Sequence, residues 1–158
     1  IGLKKLGGFH FNDSKFGDDD LDSGSINPFE LFLIFNELTN ANKLGKLKNI
    51  AYMIDQSHNV TDPIESLILS SNEIINAYAK SLLVDYESLR DAQNCNDIIK
   101  SSQILKEAYS IDVNPLCQMI RREKEHAIDP INVYRSLNYK ENKSKVRKDS
   151  GGSSSGIV

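Results

Sequence analysis

The sequence predicts an α/β fold that begins with two parallel strands joined by a helix and continues as a series of helices. Residues 7–12, GGFHFN, alternate apolar and polar side chains after a glycine pair, as a short strand does. Residues 49–55, NIAYMID, form a short apolar run that ends in an acid, which is typical of a buried strand in a parallel sheet. A helical pattern separates the two runs, and parallel neighbouring strands need a crossover of this kind.

The crossover helix is predicted over residues 27–41, NPFELFLIFNELTNA. Asn27 suits the N-cap, Pro28 suits the first helical position, and Glu30 completes a capping-box pattern. Apolar residues occur almost all round this helix, so we expect it to be buried on more than one side.

A second long helix is predicted from Asp62-Pro63 to about residue 83, with the same capping pattern at its start. Its apolar stripe consists of Ile64, Leu67, Ile68, Ile74, Ile75, Tyr78 and Leu82.

Further helices are predicted over about 86–109 and 114–125, with a last short one from residue 129. All four prolines follow Asn or Asp at a predicted helix start, which supports these boundaries. The stretch 140–158 is charged and then rich in Gly and Ser, so we expect it to be a disordered tail.

Composition excludes several classes of protein. A net charge of −3 over 158 residues gives no reason to expect nucleic acid or a charged membrane surface as a partner. No apolar run reaches the ~18 residues that span a bilayer, and the start of the chain does not have the pattern of a signal peptide. Two cysteines without a disulfide framework favour a reducing cytoplasm.

The stretch 10–25, HFNDSKFGDDDLDSGS, concentrates five aspartates behind a histidine. His10 and the loop after it lie at the end of the first strand, and Asp55 ends the second, where α/β folds place their sites. Asp18 and Asp20 are spaced to turn to one side of the loop. Carboxylates and imidazole suit a divalent cation such as manganese, cobalt or zinc. The pattern therefore predicts a metal site formed by His10, Asp18, Asp20 and Asp55.

Other interpretations of the loop stay open. Acidic runs are often solvated, and a histidine in a strand is often an ordinary core residue. A calcium-binding EF-hand loop matches Asp18, Asp20 and Asp22 at its first, third and fifth positions. However, Gly24 and Glu30 fall one place late for that motif, and the preceding segment is predicted as a strand.

Two long stretches, GGFHFNDSKFGDDDLDSGSINPFELFLIFNEL and MIDQSHNVTDPIESL, resemble the C-terminal part of bacterial L-rhamnose isomerases of the branch with broad sugar specificity. The stretch LCQMIRREKEHAIDPINVYRSLNY is similar to the same family, so the resemblance covers nearly the whole chain up to the tail. It implies the C-terminal part of a xylose-isomerase-like (β/α)8 TIM barrel. Residues 1–84 would supply the seventh and eighth strands with their helices, 85–139 a helical extension, and 140–158 the tail.

The resemblance also implies a chemistry. The family interconverts L-rhamnose and L-rhamnulose with two divalent metals, most often Mn²⁺ and alternatively Co²⁺, Zn²⁺ or Mg²⁺, and many members are homotetramers. His10 and Asp55 resemble ligands of the structural metal, and Asp18 and Asp20 resemble ligands of the catalytic metal. The metals polarise the sugar oxygens as Lewis acids, and Asp20 resembles the residue that assists proton transfer.

The chain departs from the family pattern because further ligands from the fifth and sixth strands are absent. It also begins at Ile1 rather than Met, so we expect it to be a piece of a longer protein. A TIM barrel needs ~250 residues. We therefore predict that the chain alone binds metal poorly, does not turn over sugar, and exposes apolar surface on the helix over 27–41. The alternative is a free-standing helical interaction module whose acidic loop is not catalytic.

Overall fold

The computed structural model describes residues 5–17, 19–47, 49–56, 62–139 and 141, and shows two short strands followed mainly by helices. In chain order the elements are β1 (Gly8–Phe11), α1 (Pro28–Lys43), β2 (Ala51–Ile54), α2 (Pro63–Leu82), α3 (Tyr86–Asn94), α4 (Ile98–Ser110), α5 (Asn114–Glu123) and α6 (Pro130–Ser136). Within these residues, no helix combines the length and the hydropathy required to cross a bilayer.

The two strands pair in parallel, which confirms the predicted strand–helix–strand unit. Gly8 lies opposite Ala51, and His10 lies opposite Met53. A Cβ at Gly8 would approach the carbonyl oxygen of Ala51 to 2.9 Å, so the close pairing here needs a glycine. The Asp55 amide donates to the Phe11 carbonyl at 3.0 Å and extends the pairing to the carboxyl ends of both strands.

The prediction that residues 49–55 form a buried strand is wrong for this structure. Tyr52 and Met53 are 53% and 56% exposed, and Ala51 is exposed as well. The physical reason is that the sheet has two strands in the described part of the chain, so β2 has a free edge and incomplete cover. A parallel sheet is normally covered on both faces.

Helix α1 forms the centre of the main core, which confirms its predicted wide buried surface. The prediction that this helix exposes apolar surface holds only at Ile34, which is 39% exposed, because α2, α3 and β1 cover most of its apolar residues. Phe32 is fully buried, and the Phe35 ring stacks on Phe11 at 5.3 Å between centroids. The buried cluster comprises Phe11, Leu31, Phe32, Phe35, Leu38, Ala77, Val84, Tyr86, Leu89 and Ala108. The predicted capping by the Asn27 side chain is not observed, because its Nδ2 faces Asp13 Oδ1 at 3.4 Å instead.

Helix α2 buries its small residues, and only part of its predicted apolar stripe packs inward: Ile74 lies against the core, and the Tyr78 ring faces Phe35 of α1 at 6.0 Å between centroids. The buried residues of α2 are Ser66, Ser70, Ala77, Ala79 and Ser81, whereas Ile64, Leu67, Ile75, Tyr78 and Leu82 are 37–46% exposed. Small side chains allow two helices to approach closely. The stripe also borders an apolar groove between α1, α2 and β2, with a cavity of about 530 Å³ lined by Phe35, Leu38, Leu47, Tyr52, Tyr78 and Leu82 among others.

The remaining helices follow α2. The single helical stretch predicted over 86–109 is two helices, because Asn96 has φ +55° and Asp97 caps a new helix by accepting from the Lys100 amide at 2.9 Å. Helix α5 begins at Asn114 and α6 follows the cap Asp129, as predicted. The predicted tail lies outside the described residues, apart from residue 141.

Candidate metal centre

His10 and Asp55 meet at the carboxyl ends of the two strands. The Nδ1 atom of His10 lies 3.1 Å from Oδ2 of Asp55, although the residues are 45 positions apart. The parallel register places Met53 opposite His10, and Asp55 lies two residues beyond Met53, so alternation points both side chains to the same face. Both side chains are 63% exposed, which leaves them open to a ligand.

The separation of this pair suits a shared cation. Imidazole nitrogen and carboxylate oxygen bind divalent metals at about 2.1 Å, so adjacent ligands at right angles lie about 3 Å apart. The observed 3.1 Å between His10 Nδ1 and Asp55 Oδ2 agrees with that spacing. The same contact also suits a carboxylate that orients a histidine binding metal through its other nitrogen. The donor types therefore suit a divalent cation, and in the structure the two side chains form a hydrogen-bonded pair.

Asp20 is held near the end of β1 by a hydrogen bond from Asn12. Its Oδ1 accepts a hydrogen bond of 2.5 Å from Asn12 Nδ2, and Asn12 directly follows the strand. The backbone of Asp20 has φ +43°, a left-handed conformation that aspartate tolerates better than most residues. Asp18, the other predicted ligand in this loop, lies outside the described residues.

The chain brings together part of a site. In the residues that the structure describes, no three His, Cys, Asp or Glu side chains are grouped to hold a metal ion. The His10–Asp55 pair supplies two donors, and Asp20 is held separately by Asn12. Such a pair can contribute to a cation site that further residues complete.

The acidic loop is folded back on itself rather than extended into solvent. Asp13 and Leu21 exchange two backbone hydrogen bonds of 2.8 and 2.7 Å. The Asp13 carboxylate accepts from the amides of Ile26 and Asn27 at 2.9 and 2.8 Å. Asp19 accepts from the Phe16 amide at 3.1 Å. Asp13 and Asp19 therefore bond within the loop, and these bonds shape the segment that carries Asp20.

Asp13 stabilises the loop mainly when it is ionised. Partial burial disfavours the carboxylate, but the backbone amides of Asn27, Ile26 and Ser14 favour it more, so the pKa of Asp13 lies below its ordinary value of 3.8. Because the pKa is lower in the folded chain, the stabilisation is complete above 3.8 and disappears as the pH falls through the lowered pKa.

We expect Asp13→Asn to lower the free energy of unfolding by about 1–2 kcal/mol at pH 7, since the charged acceptor for several amides is lost. The difference from the unsubstituted chain should shrink below pH 3.8. Urea denaturation at pH 7 and pH 3 measures both effects. Asp91→Asn, which removes the same charge at an exposed position of α3, is the control and should change stability little. An equal loss for both variants would contradict the role of Asp13.

Sequence reasoning gave no role to Asn12 or Gln56, yet both contact the candidate site or its loop. Asn12 bonds to Asp20, and Gln56 bonds to Asp22 at 3.0 Å. The sequence signal was their position, since Asn12 lies two residues after His10 and Gln56 directly after Asp55.

Two known proteins align with the whole chain. The chain is 53% identical over 159 aligned positions to a protein of Mesorhizobium japonicum named "Probable sugar isomerase". It is 49% identical over the same length to a protein of Rhizobium meliloti with the same descriptive name. The chain is similar along its entire length to both of these probable sugar isomerases. It spans 37% of the length of each of these two relatives.

No protein-family model matches the chain. The two relatives confirm the predicted resemblance at the level of sugar isomerases. Their names specify neither the sugar nor a metal, so the resemblance to L-rhamnose isomerases stays a prediction.

Proposed function

We propose that the chain is part of a metal-dependent aldose–ketose isomerase that interconverts L-rhamnose and L-rhamnulose. The observation that carries the proposal is the sequence identity of 53% and 49% to two probable sugar isomerases along the full length of the chain. The pairing of His10 with Asp55 supports a metal in that reaction, because these donors come from the ends of two parallel strands.

In this proposal each predicted ligand has a role. His10 and Asp55 would hold one divalent cation, and Asp18 and Asp20 would contribute to a second, with Mn²⁺ as the preferred ion. Cations held there would supply Lewis-acid polarisation of the sugar oxygens. Asp20 also takes part in moving the hydroxyl proton, and its bond from Asn12 orients the carboxylate for that task.

The fold proposal is that β1 and β2 are two neighbouring strands of a TIM barrel. Parallel strands with an intervening helix suit this architecture. In the described residues β2 has a free edge, which suits a further strand beside it, and its exposed Tyr52 and Met53 suit cover by further elements. The apolar groove beside that edge suits cover by the helix of a further strand–helix unit. The relatives are long enough to supply such units, since the chain spans 37% of them.

A chimera tests the proposed reaction. This chain would replace the matching segment of the Mesorhizobium japonicum relative, and conversion of L-rhamnose to L-rhamnulose would be followed before and after metal removal. We expect chelation to abolish conversion and Mn²⁺ to restore it, since no side chain of the site replaces the Lewis acid. Full conversion in protein shown to be metal-free by elemental analysis would contradict the proposal. Conversion of another aldose instead would correct the substrate and leave the metal dependence in place.

The exposed apolar groove also favours a second candidate, a helical interaction module. In that case the groove binds a partner protein and the acidic loop has no catalytic part. The two candidates are separated by His10→Ala, which should leave the binding of such a partner unchanged and should reduce isomerase activity.

A further inference from the structure

We propose that Gln56 is a positioning residue, which anchors the acidic loop to α2 and so fixes Asp20 relative to Asp55. This inference rests on the proposed function, because it concerns the placement of the proposed metal ligands. It is carried by a buried network of side chains that joins the loop after β1, the end of β2 and the first half of α2.

Both the nitrogen and the oxygen of the Gln56 side-chain amide form hydrogen bonds. Its Nε2 donates to Asp22 Oδ1 at 3.0 Å and lies 2.7 Å from Ser66 Oγ. Its Oε1 accepts from Ser70 Oγ at 2.5 Å. Because the amide has one acceptor oxygen and two donor hydrogens, bonds at both ends favour this orientation of Gln56 over the flipped one.

The two serines carry the connection into α2. Ser66 and Ser70 are four residues apart, so they lie on the same face of the helix. The Ser66 hydroxyl donates to Asp22, and the Ser23 amide donates to Ser70 Oγ at 3.0 Å. Ser23, Ser66 and Ser70 are at most 1% exposed. The loop is therefore attached to α2 at two consecutive residues, Asp22 and Ser23.

Close packing at Gly24 brings the loop against α2 and α1. Gly24 has φ +76°, and a Cβ there would lie 3.0 Å from the Glu73 Cβ and 3.2 Å from Leu31 Cδ2. A larger residue at this point would therefore displace the loop from the two helices.

Two members of the network are close in sequence to the proposed ligands. Gln56 directly follows Asp55, and Asp22 follows Asp20 by two residues. A displacement of Asp22 therefore moves the short segment that carries Asp20, while Asp55 stays with the sheet through its amide bond to Phe11. Outer groups that orient metal ligands commonly affect metal affinity about 10- to 100-fold.

The first test is hydrogen exchange on the 158-residue chain itself. In Gln56→Ala and Ser70→Ala, the Leu21 and Ser23 amides should exchange about tenfold faster relative to amides in the middle of α1. Ser81→Ala is the matched control, because Ser81 is also a fully buried serine of α2 and bonds to Thr39 at 2.7 Å, away from the loop. The control should leave the relative exchange of the loop unchanged.

The second test is the affinity of the chimera for Mn²⁺, titrated by electron paramagnetic resonance. We expect Gln56→Ala and Ser70→Ala to weaken binding about 10- to 100-fold and Ser81→Ala to leave it within about twofold. Unchanged loop exchange, or unchanged affinity despite a loosened loop, would overturn the inference, as would an equal effect of Ser81→Ala. Failure of the unsubstituted chimera to bind Mn²⁺ is a different result, which would overturn the proposed function and this inference with it.

Discussion

Replacing His10 or Asp55 with alanine is expected to lower the kcat/KM of the chimera for L-rhamnose at least about 100-fold, since a lost ligand costs no less than a lost orienting group. The reason is that each removes one of the two donors that the structure places 3.1 Å apart. Activity and Mn²⁺ affinity should fall together. His126→Ala, at an exposed position between α5 and α6, is the control and should retain both.

Asp55→Asn separates the charge of Asp55 from its shape. Asparagine keeps an oxygen that can face His10 but lacks the negative charge that favours a divalent cation. If Asp55 is a ligand, we expect Asp55→Asn to lower kcat/KM and Mn²⁺ affinity about as much as Asp55→Ala does. Activity close to that of the unsubstituted chimera in Asp55→Asn and in both alanine variants would show that the pair does not hold the metal.

Phe32→Ala is expected to lower the free energy of unfolding of the chain by about 3–5 kcal/mol. Phe32 is 0% exposed, and its ring contacts those of Phe29 and Tyr109 at 5.8 and 5.5 Å between centroids. Truncation removes apolar burial and leaves a cavity between α1 and its neighbours. Urea denaturation measures the loss. Phe16→Ala is the control, because Phe16 is 75% exposed in the acidic loop, and a loss of similar size there would contradict the account of the core.

Local signals in the sequence predicted the order of the elements. Each proline marks a helix start, and Asp62 and Asp129 accept from amides of the first turn, as side chains at such positions do. The break between α3 and α4 at Asn96 and Asp97 was not predicted. The alternating run around His10 and the apolar run before Asp55 predicted two strands, and both form. These signals act within a few residues, so they can be read without knowledge of the tertiary structure.

The burial of β2 and α2 could not be predicted in the same way. Periodicity shows which side chains share a face but not which neighbour covers that face. Tyr52 on β2 and Tyr78 on α2 line an open groove, whereas Ser70 and Ser81 are fully buried. Several apolar side chains of β2 and α2 are exposed in the described residues. They would be buried if further strand–helix units covered the groove in a complete fold.

The candidate site was predictable in its residue types and only partly in its geometry. The strand ends indicated that His10 and Asp55 would lie together, and they do. The positions of Asn12 and Gln56 after the strand ends place them near the site, but their bonds to Asp20 and Asp22 depend on turn geometry and long-range contacts that position alone does not specify.

The most direct measurement compares L-rhamnose isomerisation by three samples with Mn²⁺ present: the chain alone, the chimera, and the chimera with His10→Ala. We expect conversion by the chimera, and none by the chain alone, because the two strands of the described residues cannot close a barrel. We also expect a strong loss of conversion in the variant. Conversion by the chain alone, or a folded chimera that converts no aldose, would contradict the claim that this chain supplies part of the metal site of a sugar isomerase.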